Sequence, residues 1–135
     1  MKRILGVLLI TVLALNANVK AADFSQPTKI RCTCYTAKQG AITASGEPVR
    51  EGIIAAKKSW IGKTAIIYDM DMNLIGVFEI KDTGAGIDTD GDGKGDSIIN
   101  GKSIDVFRNT LDGCYEWVGK YGDYVYFQII EGEQK

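Results

Sequence analysis

Short runs of β-branched and aromatic residues, broken repeatedly by Gly and Asp, constrain this chain more than any other feature. They fall near residues 30–35, 53–56, 64–68, 74–81, 103–107 and 124–130 and read as six strands. One helix is expected beside them. Thr110 can cap it, Leu111, Cys114, Trp117 and Val118 repeat at helical spacing, and Gly119 or Gly122 can end it. Six strands and one short helix predict an all-β, closed or nearly closed barrel, because closure removes exposed strand edges.

The front of the chain has a different character. Lys2 and Arg3 precede an apolar run over residues 4–15, softened only by Gly6 and Thr11, and a polar stretch begins at Asn16. This is the layout of a secretory signal peptide, with Val19 and Ala21 as the small residues before a cut between Ala21 and Ala22. The run is shorter than the roughly 20 apolar residues that cross a bilayer, so no stable membrane anchor is expected after cleavage. The expectation is a signal peptide over 1–21 and one secreted or cell-wall domain over 22–135, acting as a monomer. Removing Lys2, Arg3 and Lys20 from 16 basic residues leaves 13 against 17 acidic ones, a net charge of −4. Nucleic acid is therefore not an expected partner, since phosphate binding needs a basic footprint. No repeat or linker divides the domain, and the tail over 131–135 is expected to fray.

The chain has no histidine, which removes Ser-His and Cys-His nucleophile pairs and histidine zinc sites together. Catalysis is left chiefly to carboxylates. Cys32, Cys34 and Cys114 in an exported chain read first as disulfide partners, and a bridge from Cys114 to Cys32 or Cys34 is expected, leaving one thiol over. Two aspartates stand out. In Ser103-Ile104-Asp105-Val106-Phe107, alternation puts Asp105 on one face with Phe107 and Ile104 with Val106 on the other, so the carboxylate sits in an apolar setting where it is costly unless paired or used. Asp82 ends a strand at the Gly-rich turn Thr83-Gly84-Ala85-Gly86, where backbone can approach a ligand closely. The plain alternative for both is a carboxylate accepting backbone N–H bonds. Tyr35, Trp60 and Phe107 are candidates to grip sugar rings, whereas Trp117, Tyr124 and Tyr126 are expected in the core.

Five segments occur in a recognisable order: Thr43-Ala44-Ser45-Gly46, Gly52-Ile53-Ile54-Ala55-Ala56, Ile61-Gly62-Lys63-Thr64, Asp82-Thr83-Gly84 and Ser103-Ile104-Asp105-Val106-Phe107. Together, across about residues 30–130, they resemble the 3D domain, a family named for three aspartates and similar to the catalytic core of membrane-bound lytic transglycosylase A. The resemblance implies a double-psi β-barrel and cleavage of peptidoglycan glycan strands between N-acetylmuramic acid and N-acetylglucosamine, with no required cofactor. It implies that Asp105 is the acid/base, that Asp82 supports it, and that Thr43, Ser45, Gly46, Thr83 and Gly84 contact substrate; Lys57 and Trp60, which the family's motifs do not supply, are further candidates for substrate contact. Burial and a second carboxylate would both help such an acid hold its proton. The family's first aspartate is expected after the Gly-x-x-Ala-x strand, where this chain has Lys57 and no acid. Lys57 would there orient substrate or pair with Asp82, while strand parity points Glu79 away from Asp82. The same gap motivates an alternative function, a non-catalytic module that binds wall glycan.

Between Asp82 and Asp105 the family has a short connection, whereas this chain carries Asp88-Thr89-Asp90-Gly91-Asp92-Gly93-Lys94-Gly95-Asp96. Acids at relative positions 1, 3, 5 and 9 with Gly at 6 match the first part of a calcium loop, so Asp88, Asp90, Asp92 and Asp96 are candidate ligands for a structural calcium. Ile99 stands where that loop has its closing Glu, and a solvated Asp/Gly hairpin tip is the competing expectation. Gly62-Lys63-Thr64 and Gly101-Lys102-Ser103 are not phosphate loops, because Lys57 and Asp96 stand where the first Gly is needed.

Overall fold

A computed structural model describes residues 23–131; the expected signal peptide with its cleavage site, and residues 132–135 of the tail, lie outside the described residues. The strands are β1 (Thr28–Tyr35), β2 (Ile53–Ala55), β3 (Thr64–Tyr68), β4 (Leu74–Asp82), β5 (Ser103–Phe107) and β6 (Tyr124–Ile130). They join in the order β1-β5-β2-β4-β3-β6 and close on themselves, so every strand has two hydrogen-bonded neighbours. Two pairs are parallel, β1 with β5 and β2 with β4, and the rest are antiparallel. The described residues are mostly strand with one short α-helix.

Alternation fills the ring. Ile30 and Cys32 of β1, Ile54 of β2, Ala65 and Ile67 of β3, Ile80 of β4, Ile104 and Val106 of β5, and Val125 and Phe127 of β6 form one buried cluster. Helix α1 (Leu111–Tyr121) packs against β1 and contributes Trp117 to that cluster. The Thr110 hydroxyl caps it by accepting from Gly113 N–H, and Gly122 is its C-cap. Only Gly113, Cys114 and Trp117 of α1 are buried, while Leu111 and Val118 are exposed, so the buried stripe is narrower than the helical spacing suggested.

Tyr124 departs from the expected core position. It is 41% exposed, because the parity that puts Val125 and Phe127 inside turns Tyr124 outward, where the Lys29 ammonium lies 4.8 Å from its ring centroid. Tyr126 has the same parity and is only partly buried.

The long β4–β5 connection is pinned to the ring rather than free. Ser97 Oγ and Ser103 Oγ are hydrogen-bonded at 2.6 Å in the interior, and Ser97 Oγ also accepts from Ile87 N–H. Gly86, at φ +91°, makes this possible, since a Cβ there would stand 2.2 Å from Ser97 Oγ.

Candidate active site

Strand register builds the site. Thr33 of β1 pairs with Asp105 of β5, Asp105 pairs with Ala55 of β2, and Ala55 pairs with Asp82 of β4. Thr33, Asp105 and Ala55 share one row across three strands, and a register shift between Ile54 and Ala55 brings Asp82 of β4 opposite Ala55. Two strand spacings separate the aspartates, roughly 9–10 Å at the backbone. The residue between them is alanine, which leaves a hollow. It is part of a cavity of about 360 Å³ lined also by Tyr35, Thr83, Gly84, Ile87 and Ile98.

Strand β1 holds both carboxylates by alternate residues. Thr33 Oγ1 donates to Asp105 Oδ1 at 2.9 Å, and two residues on, Tyr35 Oη donates to Asp82 Oδ2 at 3.0 Å. Asp82 Oδ1 accepts from Ala44 N–H and Thr83 N–H, each at 3.0 Å. Asp82 is therefore held through both oxygens. Asp105 has only the Thr33 bond, and its Oδ2 takes no hydrogen bond among the described residues and is not sealed from the cavity. Burial, the largest influence, pushes the Asp105 carboxyl up to about 6; the Thr33 bond pulls it down and the Asp82 charge raises it again. Burial and the Asp82 carboxylate also raise the Tyr35 phenol, so it stays a donor.

The other expected site residues divide into two groups. Thr43, Ser45 and Gly46 form the turn that presents Ala44 N–H to Asp82: Thr43 Oγ1 and Ser45 Oγ are 2.8 Å apart, and Gly46 N–H donates to Thr43 O. Thr83 and Gly84 line the cavity directly. Lys57 has no ion pair with Asp82; it lines a neighbouring cavity with Lys58, Ser59, Thr83, Gly84 and Ile99. Trp60 is not brought to the aspartates. Its ring packs at 5.2 Å from Phe24 and 5.9 Å from Phe127 and borders a separate hollow, because the 3₁₀ turn Lys58–Trp60 directs it onto the core. Phe107 is buried against the Tyr35 ring, and Glu79 is ion-paired with Arg50, away from the site.

In the insertion, oxygens of Asp88, Asp90 and Asp96 lie within 4.8 Å of one another, but Asp92 does not join them. Its carboxylate accepts instead from Lys94 N–H. Asp88 binds the N–H groups of Asp90, Gly91 and Gly93, and Asp96 Oδ2 is buried without a partner. The Asp90 carboxyl lies above its ordinary range: the Asp92 N–H lowers it, but desolvation and the neighbouring acids outweigh that bond. Among the cysteines, the expected bridge is not formed here: Cys32, Cys34 and Cys114 are all free thiols, with Cys34 Sγ and Cys114 Sγ 2.6 Å apart. Cys32 lies alone in the core, and burial pushes its thiol up to about 12.

Thr33 and the Ala44 N–H were not singled out from sequence, and Tyr35 was expected to meet sugar rather than Asp82. The partners of these groups lie 72, 38 and 47 residues away, with no local signal linking them. No family model matches the chain, and no curated protein is significantly similar to it.

Proposed function

We propose that this chain is an exported lytic transglycosylase of the 3D type that cleaves peptidoglycan between N-acetylmuramic acid and N-acetylglucosamine. The observation that carries the proposal is Asp105: one oxygen is fixed by Thr33, the other is open to a cavity, and the carboxyl is pushed up to about 6. Such a group can donate a proton near neutral pH and then take one back. The closed mixed sheet with two parallel pairs supports reading the fold as a double-psi β-barrel.

In the proposed reaction Asp105 gives its proton to the glycosidic oxygen as the bond from that oxygen to C1 of the muramoyl ring breaks. The muramoyl C6 hydroxyl then adds to C1 and passes its proton to the Asp105 carboxylate. A 1,6-anhydro ring forms, the other sugar leaves with a free hydroxyl, and the aspartic acid is restored without consumption of water. Asp82 remains an acceptor for Tyr35, Ala44 and Thr83, and its charge favours the protonated form of Asp105.

A second reading, a non-catalytic module binding wall glycan, is favoured by one observation: Lys57 stands where the resemblance expects the first aspartate. Mass spectrometry of digested sacculi separates the two. Wild type should release anhydro-muropeptides and Asp105→Asn should not; binding by wild type without products would establish the second reading instead.

A further inference from the structure

Resting on that reading, we infer that Thr33 is a positioning residue of the proposed reaction: by donating to Asp105 Oδ1 it makes Oδ2 the oxygen that exchanges the proton with the sugar. Strand pairing sets this up. Thr33 of β1 is in register with Asp105 of β5, and its Oγ1 stands 2.9 Å from Asp105 Oδ1 and 3.3 Å from the Ile104 carbonyl oxygen. A threonine hydroxyl has one hydrogen to give, so these two acceptors compete for it. A carboxylate accepts more strongly than a peptide carbonyl, and it is also the nearer of the two. The hydrogen therefore points at Oδ1 whenever Asp105 is charged.

The two oxygens of Asp105 differ in consequence. A proton arriving on Oδ1 would meet the Thr33 hydrogen and drive it round to the Ile104 carbonyl, whereas a proton on Oδ2 displaces nothing, since Oδ2 takes no hydrogen bond among the described residues and borders the cavity. One bond thus serves both halves of the cycle. Oδ1 stays held while Oδ2 loses its proton to the glycosidic oxygen and regains one from the muramoyl C6 hydroxyl, and the Thr33 hydrogen never leaves Oγ1. The hold matters because the last torsion of an aspartate is broad and two-fold, so a half-turn would exchange the oxygens. Threonine suits the task, being stiff about its own first torsion. No other titratable group does the same. Asp82 is the one charged group among the influences on Asp105, and its own oxygens are taken by Tyr35, Ala44 and Thr83. The Tyr35 phenol and the Cys32 and Cys34 thiols of β1 are raised by burial and stay protonated where Asp105 titrates, β2 offers only Ala55, and Cys114 of α1 meets Cys34.

Thr33→Val keeps the shape and removes the hydrogen, and Thr33→Ser restores it. Carboxyl carbon-13 NMR of aspartate-labelled protein follows Asp105 through its titration in wild type and both variants, the signal being identified by its loss in Asp105→Asn. Donation to a carboxylate favours the charged form, so the Asp105 midpoint should rise by about one pH unit in Thr33→Val and return in Thr33→Ser. The alkaline limb of glycan cleavage should move up with it, and the rate at the optimum should fall about 3- to 10-fold as the acid loses its orientation. A midpoint that stays put, or a rise that serine does not reverse, would overturn the inference. A falling midpoint would do so as well, because it would mean that the proton sits on Oδ1 and is donated to Thr33, with the threonine hydrogen turned to Ile104. Thr33→Ala supplies the same reading should valine disturb the packing of β1. If the midpoint rises as expected and wild-type protein releases no anhydro products, the transglycosylase reading fails while the placement of the proton on Oδ2 stands.

Discussion

Replacing Asp105 by Asn should stabilise the protein at neutral pH and leave it unchanged in acid. In the unfolded chain the carboxyl titrates near 3.8, and in the folded protein near 6. Below 3.8 both states are protonated; as pH rises toward 6 only the folded state keeps its proton, and above 6 it carries a poorly solvated charge. Stability associated with the bound proton is therefore present below pH 3.8 and lost as pH rises through about 6. At about 1.4 kcal/mol per pH unit the whole displacement sets a ceiling of roughly 3 kcal/mol. The carboxyl is only partly buried, so solvent screening reduces this to about 1–2 kcal/mol, or on the order of 4–8 °C in Tm for a domain of this size. Asn preserves the shape and still accepts from Thr33. Thermal melts of both proteins from pH 3.5 to 7.5 should show a gap that opens between pH 4 and 6 in favour of the variant. A gap independent of pH, or none at pH 7.5, would refute the claim that burial holds this proton.

Tyr35→Phe removes one of three donors to Asp82, and glycan cleavage should fall about 3- to 10-fold while Tm changes by no more than about 4 °C; an unchanged rate would detach Asp82 from the site. Peptide mapping of unreduced protein should recover Cys34 joined to Cys114, a link contributing about 2–4 kcal/mol, with Cys32 as the unreacted thiol; a Cys32 adduct in the native state would contradict this. Millimolar calcium should raise Tm, and Asp88→Ala with Asp90→Ala should abolish the rise, because an ion bound only by the folded state stabilises it; identical melts with calcium and with chelator would exclude the ion.

The strand frame was largely legible because alternation and β-branched residues carry it locally. β5 and β6 begin and end where their residue types suggested, β4 runs one residue further to include Asp82, and Thr110 caps the helix. The order of strands was not legible, since β1 meets β5 across more than 70 residues of chain. That pairing is what puts Thr33 on Asp105 and Ala55 between the two aspartates. Asp105 and Asp82 stood out individually because a carboxylate in an apolar strand and one at a Gly-rich turn are anomalies of local pattern. Trp60 was misread for the same reason in reverse: nearness in sequence to Lys57 says nothing of which way a 3₁₀ turn sends its ring. Asp92 fits the spacing of a calcium loop but falls outside the cluster, because spacing does not fix which carboxylates of a Gly-rich loop converge.

The most direct test of the central claim is to digest wall glycan in water enriched in oxygen-18 and weigh the new chain ends. A lone Asp105 that closes the muramoyl ring on its own C6 hydroxyl predicts 1,6-anhydro ends with no heavy oxygen. One oxygen-18 atom in each new reducing end would mean that water is the nucleophile, that Asp82 or another carboxylate activates it, and that this protein is a hydrolase.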